Sequence, residues 1–170
     1  MNKNDGGVLL MKRLFIGSLL ILLLVGCGNP MQEELLSYIN EDLPPLAEKE
    51  SEVIARYESV TGDNYTNDEV MYAALVDEVQ PKYQSFITDL EAVEIEEKEI
   101  KTVHEDFIEA ANLQHSAFLT VISAIEEQDR EKIDEANQKL SKARKMMRQY
   151  QVDLKTLAED NEIEWEKENK

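Results

Sequence analysis

Cysteine occurs once in the 170 residues, as Cys27, so no intramolecular disulfide can staple this chain and its stability must come from packing. Glycine nearly vanishes beyond the first 28 residues, Gly62 being the last in the chain, which together with abundant Glu, Lys, Leu, Ala and Ile reads as all-helical. Basic residues are scarce, 18 Lys and Arg against 36 Asp and Glu for a net charge of −18. Binding nucleic-acid phosphates needs clustered cations, so nucleic acid is excluded as a partner. No apolar run is long enough to span a membrane: residues 14–25 supply twelve apolar or small residues where a spanning helix needs about 20. Catalytic signatures are missing as well, with no nucleophile elbow, phosphate loop, metal-protease helix or free cysteine beyond Cys27. Ser116 is adjacent to His115 in sequence rather than positioned for attack. These absences argue against an enzyme and call for no cofactor.

What is present begins with an export signal: cationic Lys12 and Arg13, a short apolar core, and small residues before a cleavage point. The core closes on Leu24-Val25-Gly26-Cys27, which resembles the lipobox of bacterial lipoprotein precursors. The resemblance implies a diacylglycerol on the Cys27 thiol, cleavage between Gly26 and Cys27, and acylation of the new amino group. Met11 would begin a signal of ordinary length, which makes residues 1–10 a candidate misassigned upstream start. Each buried methylene of the lipid is worth about 0.8 kcal/mol, and two chains give stable attachment. Losing the signal removes Lys3, Lys12, Arg13 and Asp5, leaving 15 basic against 35 acidic side chains, which anionic head groups would repel as a whole. The expected location is the extracytoplasmic face of the cell membrane. The Glu, Lys and Ile bias favours a Gram-positive cell without excluding an outer-membrane lipoprotein.

The expected organisation is a signal at 1–26, the lipidated cysteine and a short tether at 27–30, a helical bundle at 31–160, and a charged tail at 161–170. Apolar residues at alternating spacings of three and four form a heptad seam: Ile133, Ala136, Leu140, Ala143, Met147, Tyr150, Leu154 and Leu157. Leu36, Ile39, Leu43, Leu46, Glu50, Val53, Tyr57 and Val60 repeat it, interrupted only by Glu50. Asn29-Pro30-Met31-Gln32 reads as an N-cap, a first-position proline and a Gln reaching back. Pro44-Pro45 predicts a break in this first helix, which resumes to about Val60. After a loop at 61–65, Thr66-Asn67-Asp68-Glu69 reads as a capping box for a second helix that runs to about Val93 and kinks near Pro81. Ile100, His104, Phe107, Ala111, His115, Phe118, Ile122 and Ile125 share one face of a third helix ending near Gln128, and Asp129 caps the fourth. Glu91 to Glu99 offers no evident cap, yet the apolar stripe lapses there, so a tight turn is expected. The fold class is all-α, an antiparallel up-down four-helix bundle with its first helix broken.

Candidate chemistry is sparse. His104 and His115 point the same way, but eleven residues put them roughly 16 Å apart along the axis, too far to share one metal. Histidines hydrogen-bonded at the core edge are the favoured reading, with Glu50 a possible partner for one of them. Residues 63–69 carry oxygen ligands like part of a calcium loop, yet lack the Gly at the sixth position and have Ala74 where the twelfth should be Glu. Loop and cap chemistry accounts for them without a metal. Acids at Asp89, Glu91, Glu94, Glu96, Glu97 and Glu99 read as a solvated turn. Lys139, Lys142, Arg144, Lys145 and Arg148 form a basic segment in an acidic chain. It either complements acidic neighbouring helices, the favoured reading, or serves as a docking strip for an anionic partner.

Residues 100–157, with Ile100-Lys101-Thr102-Val103-His104, Ala117-Phe118, Ala124-Ile125 and Asp129, resemble the small helical lipoproteins of Gram-positive bacteria. That resemblance implies an architecture and no activity. Two functions fit: a lipid-tethered helical interaction or scaffold module, meeting an envelope protein or a second copy of itself, and a domain that senses a small ligand or metal between its helices through His104, His115 or Glu50.

Overall fold

Proline shapes the first two helices. Pro30 starts the first, where a missing N–H costs nothing and a fixed φ is already helical. The computed structural model describes residues 29–164, so the signal, Gly26, Cys27 and the end of the expected tail at 165–170 lie outside the described residues. Four helical rods follow in order: α1 at 30–58, α2 at 68–91, α3 at Lys98–Glu127 and α4 at Arg130–Asp160. They pack around one core, and no strand occurs among the described residues.

The break expected at Pro44-Pro45 is not there. A π turn, Tyr38–Asp42, carries the helix through, with the Leu43 N–H bonding the Tyr38 carbonyl five residues back. Proline in a regular helix loses a hydrogen bond and its ring meets the carbonyl four residues before it; one extra residue in the turn relieves that crowding. Pro44 and Pro45 then sit in the first turn of Leu43–Glu58. The same device replaces a simple kink before Pro81: the π turn Leu75–Val79 precedes Gln80–Glu91. Across this turn the inward face of α2 departs from strict heptad spacing. Leu75, Val79, Tyr83, Phe86 and Leu90 are fully buried at spacings of four, four, three and four.

Two of the expected caps form differently. Asn29 makes no side-chain cap bond, and Gln32, instead of reaching back, donates through Nε2 to the Asn161 carbonyl at 2.7 Å, tying the start of α1 to the end of α4. At α2 the capping residue is Asn67 rather than Thr66, its side chain accepting from the Val70 N–H at 2.9 Å. Asp129 caps α4 as expected, accepting from the Glu131 N–H at 2.8 Å. Helices α2 and α3 are separate, and the cap missing from the local sequence comes from 62 residues away. Both carboxylate oxygens of Glu34 accept backbone N–H bonds, from Glu96 at 2.6 Å and Glu97 at 2.7 Å. In the loop at 63–68 the Tyr65 hydroxyl donates to Asp68 Oδ1 at 2.9 Å.

Both heptad seams face inward, every member being buried or half-buried. Beyond Asp160 the chain turns back, the Ile163 N–H bonds the Ala158 carbonyl, and Ile163 itself is buried in the core.

Candidate functional site

Polar groups inside an apolar core are the natural place to look for a site, because each must find a partner or stay costly. Here they come chiefly from residues that the helix seams carry inward. His104 on α3 is buried, its Nε2 lying 3.0 Å from the Leu90 carbonyl in the last turn of α2 and its Nδ1 2.9 Å from the Tyr38 hydroxyl on α1. That hydroxyl is 3.2 Å from the Tyr150 hydroxyl on α4. One chain of hydrogen bonds therefore touches all four helices.

Chemistry fixes its direction. A carbonyl can only accept, so His104 Nε2 carries the proton and donates to Leu90. Burial pushes the His104 pKa down, the Leu90 carbonyl partly opposing it, and a neutral ring leaves Nδ1 as an acceptor for the Tyr38 O–H. The Tyr150 O–H must then donate to the Tyr38 oxygen. Burial raises both tyrosines well above their ordinary value, so neither ionises near neutral pH. The Tyr38 ring meets His104 edge-on with centroids 5.5 Å apart, and Phe107 stacks on Tyr150 at 4.6 Å.

A second polar group lies beside it. The fully buried Tyr83 of α2 donates to Glu50 Oε1 on α1 at 3.2 Å and stacks on His115 of α3 with centroids 6.1 Å apart. Burial raises the Glu50 pKa, with the Tyr83 hydroxyl opposing, and lowers that of His115. His115 Nε2 is buried and has no hydrogen-bond partner among the described residues. The tyrosines, then, join the three residues singled out in the sequence: Glu50 and His115 meet through Tyr83, while His104 spends both nitrogens elsewhere. Tyr38 and Tyr83 went unread in the sequence. The signal that could have found them is chemical: a buried tyrosine needs a partner for its hydroxyl, and a core histidine or glutamate is the obvious one.

The described surface includes two clefts away from these groups. One, of about 570 Å³, lies between Tyr65, Asp68, Ile125, Asp129 and Ile133 at the end of the molecule where α3 turns into α4. The other, of about 300 Å³, lies between Val103 and Leu157. Neither reaches His104, His115 or Glu50. Among the described residues no three His, Cys, Asp or Glu side chains gather closely enough to hold a metal ion.

The basic segment of α4 divides in two. Lys139 complements its neighbours, donating to Thr120 Oγ1 at 2.9 Å and pairing with Glu135 at 2.8 Å. Burial raises the pKa of Tyr57, and the nearby Arg144 opposes that rise. Lys142, Lys145 and Arg148 are exposed and pair with no described acid. In the acidic turn, Asp89 pairs with Lys49 and the Glu96 and Glu97 amides are capped by Glu34. No protein-family model, curated protein or solved structure matches this chain.

Proposed function

We propose that this chain is a lipid-anchored interaction module of the cell envelope: a rigid antiparallel up-down bundle, attached through diacylglyceryl-Cys27, that presents helix faces to a protein partner or to a second copy of itself. Contacts between the rods support the up-down order. Along α1 and α2, Lys49 meets Asp89 and Arg56 meets Glu78; along α2 and α3, Leu90 meets His104 and Tyr72 meets Glu126; along α3 and α4, Phe107 meets Tyr150 and Thr120 meets Lys139. In each pair the numbers rise on one helix as they fall on the next.

The observation that carries the reading is a core whose polar groups are spent largely on each other, set close behind the lipobox. The two clefts are lined by other residues than these polar groups, and α1 starts at Pro30, three residues past Cys27. A domain built this way offers surfaces rather than a reaction chamber. The test has two arms. Cys27→Ala should abolish fatty-acid labelling and release the protein from membranes, and crosslinking in cells should recover one dominant envelope protein or a homodimer. Unchanged labelling would refute the anchor, and a strict monomer with no crosslinked partner would refute the module.

One observation favours a second reading, a small-ligand or metal-sensing core: the unpartnered Nε2 of His115 beside the Tyr83–Glu50 pair. On that reading, ligands that raise the melting temperature should lose their effect in His115→Ala and Glu50→Ala, whereas His104→Ala should only destabilise.

A further inference from the structure

Acid is spread through this chain, 36 residues in 170, yet residues 136–152 contain none. The same stretch carries five cations, Lys139, Lys142, Arg144, Lys145 and Arg148, and stops at Asp153. On α4 the core positions are Ala136, Leu140, Ala143, Tyr150 and Leu154. A rotation of 100° per residue puts Lys142, Lys145 and Arg148 on the side away from that core, together with Val152, which is 57 % exposed. These cations are not neutralised within the described residues, and a bare aliphatic side chain extends their row. Long basic side chains beside an exposed apolar group suit a surface that is anionic at its face and apolar beneath it.

We propose that this outer face of α4 is a bilayer-docking face, which lays the bundle against anionic phospholipid head groups instead of leaving it upright on its anchor. The inference rests on the lipid-anchored reading above. Net charge speaks against such contact only if the molecule is treated as a point. At physiological salt the screening length is about 8 Å, and a helix is about 10 Å across, so acids in the far layer lie roughly two screening lengths from a surface touching α4. Asp77, Glu78 and Asp89 belong to α2, which packs on α1 and α3.

The attachment point permits the posture. Gln32 bonds the Asn161 carbonyl, so the anchored start of α1 lies beside the end of α4, and the three-residue tether reaches about 10 Å. In an upright bundle Arg148 and Lys142 would stand roughly 20 and 29 Å beyond Asn161, out of range of the head groups. Lying down brings both to the surface.

The test uses the full lipidated chain with Val152→Cys carrying an environment-sensitive fluorophore, reconstituted into vesicles of phosphatidylcholine alone or with added phosphatidylglycerol. Expected is a blue-shifted emission on the phosphatidylglycerol vesicles only, reversed by high salt and by the combined changes Lys142→Glu, Lys145→Glu and Arg148→Glu. Identical water-exposed emission on both vesicles overturns the proposal and leaves the face to a protein or wall-polymer partner, while flotation of the chain with neutral vesicles shows that the anchor still holds. If the chain fails to float with neutral vesicles, the anchor reading has failed; flotation with anionic vesicles that the triple change abolishes still supports the face, and its absence overturns both.

Discussion

The two halves of the bundle solve the same packing problem in different ways. Helices α3 and α4 run 30 and 31 residues without interruption and join across Gln128-Asp129, with Gln128 left-handed at φ 55°. Helices α1 and α2 are each interrupted by a π turn before proline and are joined by the longer loop that contains Gly62. Regular heptads make long straight rods whose register can be counted. The interrupted half keeps its seam in α1 but departs from heptad spacing in α2, and it supplies Tyr38, Glu50 and Tyr83 to the polar core, with Tyr38 inside a π turn itself. An inserted residue shifts every following side chain by about 100°, which is how a proline at the surface changes what the interior receives.

The strongest test of that contrast asks whether the halves stand or fall together. Phe118 of α3 packs on Tyr57 of α1 and Tyr83 of α2, so Phe118→Ala should cost about 3–5 kcal/mol and still leave one cooperative transition in urea. A surviving second transition would show that the halves fold independently. Next in size is the direction of the hydrogen-bond chain. Tyr38→Phe strands both His104 Nδ1 and the Tyr150 hydroxyl and should cost about 1–3 kcal/mol; Tyr150→Phe removes only a donor to Tyr38 and should cost about 1 kcal/mol. Equal costs would overturn the assigned direction.

Acidity probes the same core. His104 and His115 have folded-state pKa values below the usual 6.5, so the unfolded chain binds more protons than the folded one and stability falls as pH drops through that value. Glu50 works oppositely: its raised value means that ionisation costs stability as pH rises above about 4.5. Urea midpoints should therefore fall between about pH 7.5 and 5.5, His115→Phe should flatten the fall, and Glu50→Gln should stabilise at neutral pH more than in acid. Smaller again is the long-range cap: Glu34→Ala should cost about 1 kcal/mol and speed hydrogen exchange at Glu96 and Glu97. Smallest is Pro81→Ala, which frees the unfolded chain at an exposed position and should cost below about 1 kcal/mol.

Legibility in the sequence followed regularity. The seams of α1, α3 and α4, the Asp129 cap and the separation of α2 from α3 could all be read from spacing, because a repeating pattern is a local property. The inward face of α2 could not, since across its π turn the buried residues fall at spacings of four, four, three and four. Of the candidate site, His104, His115 and Glu50 stood out as polar residues on apolar faces, while no motif or seam marks Tyr38 or Tyr83. The Glu34 cap was invisible for another reason: a carboxylate that caps a helix 62 residues later leaves no mark within either segment.

By itself, then, the sequence determined an all-helical, disulfide-free and strongly acidic chain, because composition and heptad spacing act within a few turns of helix. Tertiary structure alone decided how prolines are absorbed, which hydroxyl meets which histidine, and that Lys142, Lys145 and Arg148 stay exposed with no acid partner among the described residues. Those outcomes depend on which groups from distant segments arrive within about 3 Å of one another, and hydrogen bonds have no reach beyond that distance.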